Sequence, residues 1–373
     1  SPQNFGATAR YLEGTIALEE HKARLAESSY LRACQLNPAY QPPYRELAKL
    51  YSLQLRGADL TRVLKELESL RALNVEELAT RLLAGRPFVE RSQAMLLLKQ
   101  MVAHDPEDFH SRLAQARYML LEGDPHAAAA QLTAIIKPES LDPAVIAMQA
   151  LVWDMNGTGP ATDQPEVKLT FSSATTLEAW ELASRRASAV GDWETVGKIE
   201  SYLLMQNPLS PTVSHSLAVA LDRMKRTEQA KLQHQQTERL DQLELLAYRM
   251  LNPRARVPDV GIPVICEIAD LLKAAGLSGD AFSWLIAAES LAPGRPDVRS
   301  RIQLLSHQSG NAKQIETATA PVLPAIVIRP DDRAMGSQVA PSVAEFQFRD
   351  VAAEMGIQFE YCNGPSPYKR ILE

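Results

Sequence analysis

Cysteine is scarce in this 373-residue chain: Cys34, Cys266 and Cys362 are far apart and form no CxxC pair. That excludes a disulfide framework and a Cys-rich zinc site, and leaves each as a small buried or partly exposed thiol. Long apolar runs are missing too. Nothing approaches the roughly 18–20 residues a membrane helix needs, so no membrane span is expected. The opening SPQNF lacks the basic and apolar regions of a leader peptide. A chain that begins at Ser1 reads as processed or cut, which leaves localisation open. Basic charge is not in excess either, with Lys+Arg 39 against Asp+Glu 45 and a net charge of −6. A general electrostatic attraction to nucleic acid is thereby excluded. Hydrophobic residues at 46% exclude fibrous, collagenous and wholly disordered chains. At about 100–200 residues per domain, the length allows two or three compact domains or one elongated array.

What the chain does have is self-similarity. Gly14, Ala26, Tyr30, Ala33 and Pro38 stand at the small, small, aromatic, small and proline positions of a helix pair about 34 residues long. Tyr44, Leu47, Ala48 and Tyr51 begin a second unit, with Leu64 and Leu67 on its looser second helix. Later units carry Ala94, Leu98 and Pro106; Ala116, Ala128 and Leu132; Trp180, Gly191, Asp192 and Pro208; then Leu217, Ala218 and Ala230. The last runs from Ile268 and Ala269 through Gly276, Ala281, Leu285 and Ala288 to Pro293. These units resemble tetratricopeptide repeats. The resemblance implies an all-α, right-handed solenoid over residues 1–308, in which stacking hides the apolar face that each pair cannot hide alone. A bulky residue at Ala33 or Ala288 should overpack a helix crossing and cost about 1–3 kcal/mol.

The terminating prolines keep time: Pro38 to Pro106 is 68 residues and Pro106 to Pro208 is 102, two and three units of 34. Pro208 to Pro293 is 85, two units and 17 more. The surplus is assigned to an overlong helix through TEQAKLQHQQTERLDQLELLAYRML and the turn after it, and the Leu240 to Leu251 face of that helix either packs internally or serves a dimer. NGTGPATDQP is rich in turn residues, so the repeat begun by DPAVIAMQALVWDMN is expected to lack its second helix. GRPDVRSRIQLLSHQ suits a terminal capping helix with Pro296 near its start. The expected shape is a curved rod of helices, with no strand in the first three hundred residues.

Composition changes after residue 308. Residues 309–345 contain Pro321, Pro324, Pro330 and Pro341 and read as an extended linker. Within it PAIVIRP favours one short strand or a segment laid along the solenoid. Residues 346–373 alternate again, and Phe348, Asp350, Val351, Gly356, Ile357, Phe359, Asn363, Gly364, Leu372 and Glu373 resemble the opening of the ASPIC/UnbV, cartilage-acidic-protein-like family of FG-GAP propellers. Ala352 stands where that family usually has Thr. The resemblance implies a short propeller stub, a chain cut as its propeller begins, an extracytoplasmic location, and calcium only in the missing propeller, since no Asp-rich calcium loop occurs in this sequence.

Catalytic and cofactor motifs fail on spacing. GDWETVGKI has no preceding strand and Ile199 where a phosphate loop needs Ser or Thr, so Gly191 and Asp192 read as a turn between paired helices. GTGPA lacks the third glycine of a dinucleotide fingerprint. Seven histidines include no HExxH, and His104 and His110 merely flank a DPED turn. Asn156-Gly157-Thr158 is a formal glycosylation sequon, meaningful only in a secretory pathway. No nucleophile motif is recognisable, and no enzyme activity and no cofactor are expected. In tetratricopeptide arrays the first helix of each pair lines the concave groove, which here places Arg45, Lys49, Arg117, Glu181, Arg185, His215, Asp222, Asp270 and Lys273 on the face toward a partner. Mixed charge there favours a polar or zwitterionic protein or peptide held by salt-sensitive hydrogen bonds. Tyr11, Thr15 and Arg45 occupy the places of the chaperone-tail carboxylate clamp, so that clamp is absent. The function expected is protein–protein scaffolding, with a regulatory arm of an enzyme or a carbohydrate- or matrix-binding module as alternatives.

Overall fold

Gly14 shows why the repeat signature exists. It lies on α1 (Pro2–Glu19), and a Cβ there would stand 2.7 Å from the ring of Tyr30 on α2 (Ala23–Leu36). Only glycine lets the two helices approach while the wholly buried Tyr30 lies between them, with Ala26 and Ala33 fully buried on the same face. The structure is a computed structural model that describes residues 2–87, 90–133, 143–158, 167–172, 176–308 and 320–328. Its helices continue as α3 (Gln41–Leu53), α4 (Gly57–Leu70), α5 (Val75–Leu82), α6 (Arg91–His104), α7 (Phe109–Leu121), α8 (Pro125–Thr133) and α9 (Pro143–Asn156). A strand, β1 (Val167–Leu169), precedes α10 (Leu177–Ala189), α11 (Trp193–Gln206), α12 (Pro211–Arg223) and α13 (Thr227–Leu251). After a 3₁₀ turn at Pro253–Arg256 come α14 (Pro258–Ala274), α15 (Ser278–Leu291), α16 (Pro296–Gln308) and a second strand, β2 (Ile326–Ile328).

The period is kept by one backbone device. At the turn inside most pairs a residue adopts the left-handed conformation in phase, at His21, Leu55, Gly123, Gly157, Gly191 and Lys225, while the α5–α6 turn has its own at Gly85, off the period. From His21 to Leu55 is 34 residues, from Leu55 to Gly123 two such steps, and each later interval is 34 again. Lys225 to the next, Gly276, is 51, one unit and the 17 surplus residues. At each of these in-phase turns the following amide reaches back five residues, as from Lys22 to the carbonyl of Ala17 at 2.8 Å, Asp192 to Ala187 at 2.9 Å and Leu277 to Leu272 at 2.8 Å. This is the Schellman closure, which satisfies carbonyls the ending helix leaves open. Gly191 and Asp192 are such a turn, and the Asp192 carboxylate then caps α11 by accepting from the Thr195 amide at 3.1 Å.

Two expectations about shape are corrected. First, a strand does occur within the first three hundred residues. The repeat that opens with α9 keeps its left-handed Gly157, but no helix follows in the described residues; β1 does, paired antiparallel with β2 as Val167↔Ile328, Lys168↔Val327 and Leu169↔Ile326. PAIVIRP therefore supplies a strand and is also laid on the helices. Second, the array is not an open rod in which repeats meet only sequence neighbours. The overlong α13 has the predicted limits, but its second half, with Leu240, Leu243, Ala247 and Met250, is buried against α5 in one core shared by α1–α5 and α14–α16. The Leu240 to Leu251 face thus packs internally.

Polar contacts follow the same closure. Arg81 on α5 binds Glu68 at 2.7 Å and Asp280 on α15 at 2.8 Å, Arg256 reaches Glu76 at 2.6 Å, and the Tyr248 hydroxyl donates to the carbonyl of Pro87 at 2.9 Å. At the other junction Leu50, Leu53 and Leu55 at the end of α3 pack with α6 and α7, and the buried Gln54 amide donates to Ser111 at 3.1 Å. The first and last repeats therefore share a core, while α6–α12 form the arm between them.

Cys34 is half-buried with its thiol pushed up to about 11 by burial, and buried Cys266 is shifted upward for the same reason. α16 begins at Pro296 and packs on α15 with Val298 and Leu305 buried. The propeller-like motif at 346–373, Cys362 and most of the linker lie outside the described residues.

Candidate functional site

The first helix of a pair is held beside the first helix of the next by opposite charges about one repeat apart. Arg45 on α3 donates to Glu77 on α5 at 3.1 Å, and Glu77 also receives Arg71 at 2.5 Å. Arg185 and Arg186 on α10 share Asp154 on α9 at 2.9 and 3.0 Å. Arg301 on α16 donates to both oxygens of Asp270 on α14, at 3.3 and 3.1 Å. The partners in these three cases are 31 or 32 residues apart, one repeat less part of a helical turn. At that offset two long side chains on parallel helices meet between the axes.

Arg117 has the most connected position. From α7 it donates through Nε to Glu178 on α10 at 2.9 Å, again to the same oxygen through Nη2, and through Nη1 to the carbonyl of left-handed Leu55 at 3.5 Å. Three stretches of chain meet on one guanidinium, and Glu178 is buried. One helical turn along α10, Glu181 reaches solvent yet is crowded by protein. Desolvation pushes its carboxyl above the ordinary range, the negative charge of Glu178 adds to this, and Arg185 opposes it. Behind it Glu200 on α11 is buried and receives the Ser184 hydroxyl; its carboxyl is also raised, by desolvation first and by Glu181 next.

The remaining predicted residues are separate. Lys49 is exposed and bonds Glu46 of its own helix at 2.9 Å. Asp222 on α12 lies 2.8 Å from Nε2 of His234 on α13, whose ring is 6.3 Å from that of His215. Lys273 is exposed in the last turn of α14. Of the nine residues expected to face a partner, Arg45, Arg117, Arg185, Asp222 and Asp270 are engaged with neighbouring helices. Lys49, Glu181, His215 and Lys273 hold no such inter-helix pair. Sequence reasoning missed Glu77, Asp154, Glu178, His234 and Arg301 as their partners; the 31–32 offset between opposite charges was there to be read for Glu77, Asp154 and Arg301, while Glu178 lies 61 residues from Arg117 and His234 12 from Asp222. Tyr11 stacks near Tyr30 and edge-on to Tyr40, and Thr15 donates to its own helix, so the start of the array presents aromatic packing where the carboxylate clamp would be.

Among the described residues no three His, Cys, Asp or Glu side chains gather as a metal site, and no helix is long and apolar enough to cross a membrane. Two clefts stand out. One of about 540 Å³ lies along α14 and α16 between Cys266, Asp270, Asp297 and Arg301. The other, about 490 Å³, lies between α11 and α12 where Pro321 and Val322 cross them.

No family model matches the chain, and no curated protein matches it. Among solved structures it is similar to a tetratricopeptide repeat protein from Parabacteroides merdae ATCC 43184, at 12% identity over 81% of this chain and 99% of that one, with a TM-score of 0.20. The APC/C hetero-tetramer Cut9-Hcn1 is 13% identical over 76% of this chain and 58% of that one, with a TM-score of 0.35. The TPR domain of P58(IPK) is 11% identical over 82% of this chain and 80% of that one, with a TM-score of 0.25. The first and third of these neighbours are described as tetratricopeptide-repeat structures, and this chain is a helical repeat.

Proposed function

We propose that the chain is a protein–protein interaction scaffold that holds a peptide or domain of a partner against its first helices. Affinity comes from several modest contacts at fixed spacing, not from one pocket. The observation that carries this is the ladder of inter-helix ion pairs. Four of the nine candidate residues, Arg45, Arg117, Arg185 and Asp270, spend their charge between first helices, and Asp222 is taken by His234 of its own pair, which leaves Lys49, Glu181, His215 and Lys273 as the points that meet a partner. A basic side chain beside Glu181 would offset the desolvation of its carboxylate and the nearby charge of Glu178, so a partner with a cationic residue is favoured. No catalytic residue and no cofactor are assigned. In the finer form of the proposal the array presents a propeller beginning near residue 346, with calcium confined to that propeller and an extracytoplasmic location. Its support is the Phe348, Asp350, Gly356, Ile357 and Phe359 motif alone.

A photo-crosslinking amino acid placed at position 181 of the full chain, with a second version carrying it at exposed Arg62 on the second helix α4, tests the proposal in the native host. A discrete adduct from position 181, lost in Lys49→Glu and weakened by salt, is expected. Adducts only from position 62, or none sensitive to Lys49→Glu, would contradict it.

A further inference from the structure

The repeat that opens with α9 has the spacing and turn of its neighbours without a second helix in the described residues, so the flank of α9 and α10 needs another cover. β1 supplies part of it: Leu169 is buried with Ala147, Ala150 and Leu151 of α9 and with Ala179 and Leu182 of α10. The rest comes from more than 150 residues away. Ile328 of β2 is buried in that cluster, and Ile326 touches both it and the neighbouring cluster of Trp180, Ile199 and Tyr202. Ala320 and Leu323 pack on this second cluster, while Val322 between them is 98% exposed. Segment 320–328 therefore lies extended with apolar side chains turned in at intervals.

We infer that the edge of β1 and the Trp180–Ile199–Tyr202 face form a binding site for an extended apolar peptide, in which Ala320–Ile328 is the chain's own resident ligand and a partner peptide of the same pattern takes its place. A ladder of main-chain hydrogen bonds with pockets for spaced side chains is the physics of strand addition. The resident is not built to be permanent. Its ladder is three residues long, and a two-stranded sheet of that size has little stability of its own. Beside Pro321 the 490 Å³ cleft runs over Tyr202, Met205, Leu217, Leu221 and Met224, with Glu194, Lys198, Ser201 and Arg226 at its polar side, mixed surface on which a peptide would set apolar side chains and pair its polar groups. A resident joined to the array through residues 309–319 competes at an effective concentration of roughly millimolar, so a partner must bind better than the resident's weak intrinsic affinity. This surface differs from the first-helix charges, and either assignment can fail without the other.

The test uses the full chain and a fluorescent synthetic peptide with the sequence of residues 318–330. In a variant carrying Leu323→Ser, Ile326→Ser and Ile328→Ser the resident is disabled, and the peptide should bind at least tenfold more tightly than to the wild type, with a scrambled peptide binding neither. Equal affinity for both chains, or no binding to a variant with wild-type helical circular dichroism, overturns the inference. Should the variant fail to fold, a specific protease site inserted within residues 309–319 and cut after folding gives the same decision. The released piece is expected to stay on the array and to leave when excess peptide is added. A piece that is never displaced, or that falls away from an array that takes up no peptide, overturns it. A wild-type dimer dissolved by the peptide would give the slot to a second copy of the chain and overturn the assignment to a partner peptide.

Discussion

The repeats α10–α11 and α9–β1 have the same length, and both turn through a left-handed glycine, Gly191 in one and Gly157 in the other. In the first, Asp192 caps a second helix whose Val196, Ile199 and Tyr202 are buried. In the second, Thr158 closes the turn onto Trp153 at 2.9 Å, and the described chain resumes as a strand. The turn sets the phase of a repeat, but the second helix must be supported by its own sequence. After α9, the described residues that cover the flank of α9 and α10 are β1, β2 and the residues before β2. The same economy acts at α13, whose extra turns would be exposed in an open array and instead join the first and last repeats.

The largest way to break the equivalence of the two repeats is at the guanidinium that joins α10 to α7 and α3. Arg117→Met leaves buried Glu178 without its partner and should cost about 3–5 kcal/mol in denaturant unfolding, most of it recovered when Glu178→Gln is added. Next comes a direct comparison of built-in and borrowed cover. Ile199→Ala in α11 should cost about 2–5 kcal/mol, whereas Ile328→Ala, equally buried, should cost much less in global unfolding because β2 opens locally. Hydrogen exchange should then show lost protection in 167–169 and not in α11. Smaller still are the turns: Gly191→Ala should cost about 1–2 kcal/mol for forcing an alanine into the left-handed region, while Lys225→Gly at the equivalent turn should stabilise by about 0.4–1 kcal/mol at most. Buried Glu200 provides the pH test. Its folded-state pKa is raised by desolvation, so its favourable contribution is complete below the ordinary carboxylate range and is lost as pH rises through the raised value. Glu200→Gln should therefore melt at a higher temperature than the wild type near pH 7, with the difference closing toward about pH 4.

Much of the array was legible in the residues. Gly14, Tyr30 and Ala33 mark a close crossing because only small side chains allow it, and the 17 surplus residues between Pro208 and Pro293 pointed to α13 with the limits it has. NGTGPATDQP marks the break after α9 because glycine and proline cannot continue a helix, and the described chain resumes as β1. The fold-back was not legible, because Leu240, Leu243 and Met250 look the same on a helix that packs on a dimer partner, on its neighbour or on α5. Nor was the pairing of β1 with β2, since register between three-residue strands so far apart leaves no local signal. The turn at Gly191 was legible, but those at His21, Leu55 and Lys225 were not, because these residues occupy a place usually marked by glycine. The candidate site was legible as a set of first-helix charges, but the sequence does not separate those spent on neighbouring helices from those left over until the 31–32 offset is read.

The central claim is that α13 closes the array by packing on α5, so that the first and last repeats share one core. Spin labels on cysteines introduced at Glu76 of α5 and Arg254 of the turn after α13, in a chain whose native cysteines are replaced, measure this directly by pulsed electron–electron resonance. A single short and narrow distance is the predicted result; a long or broad distribution, as an open rod would give, would contradict it.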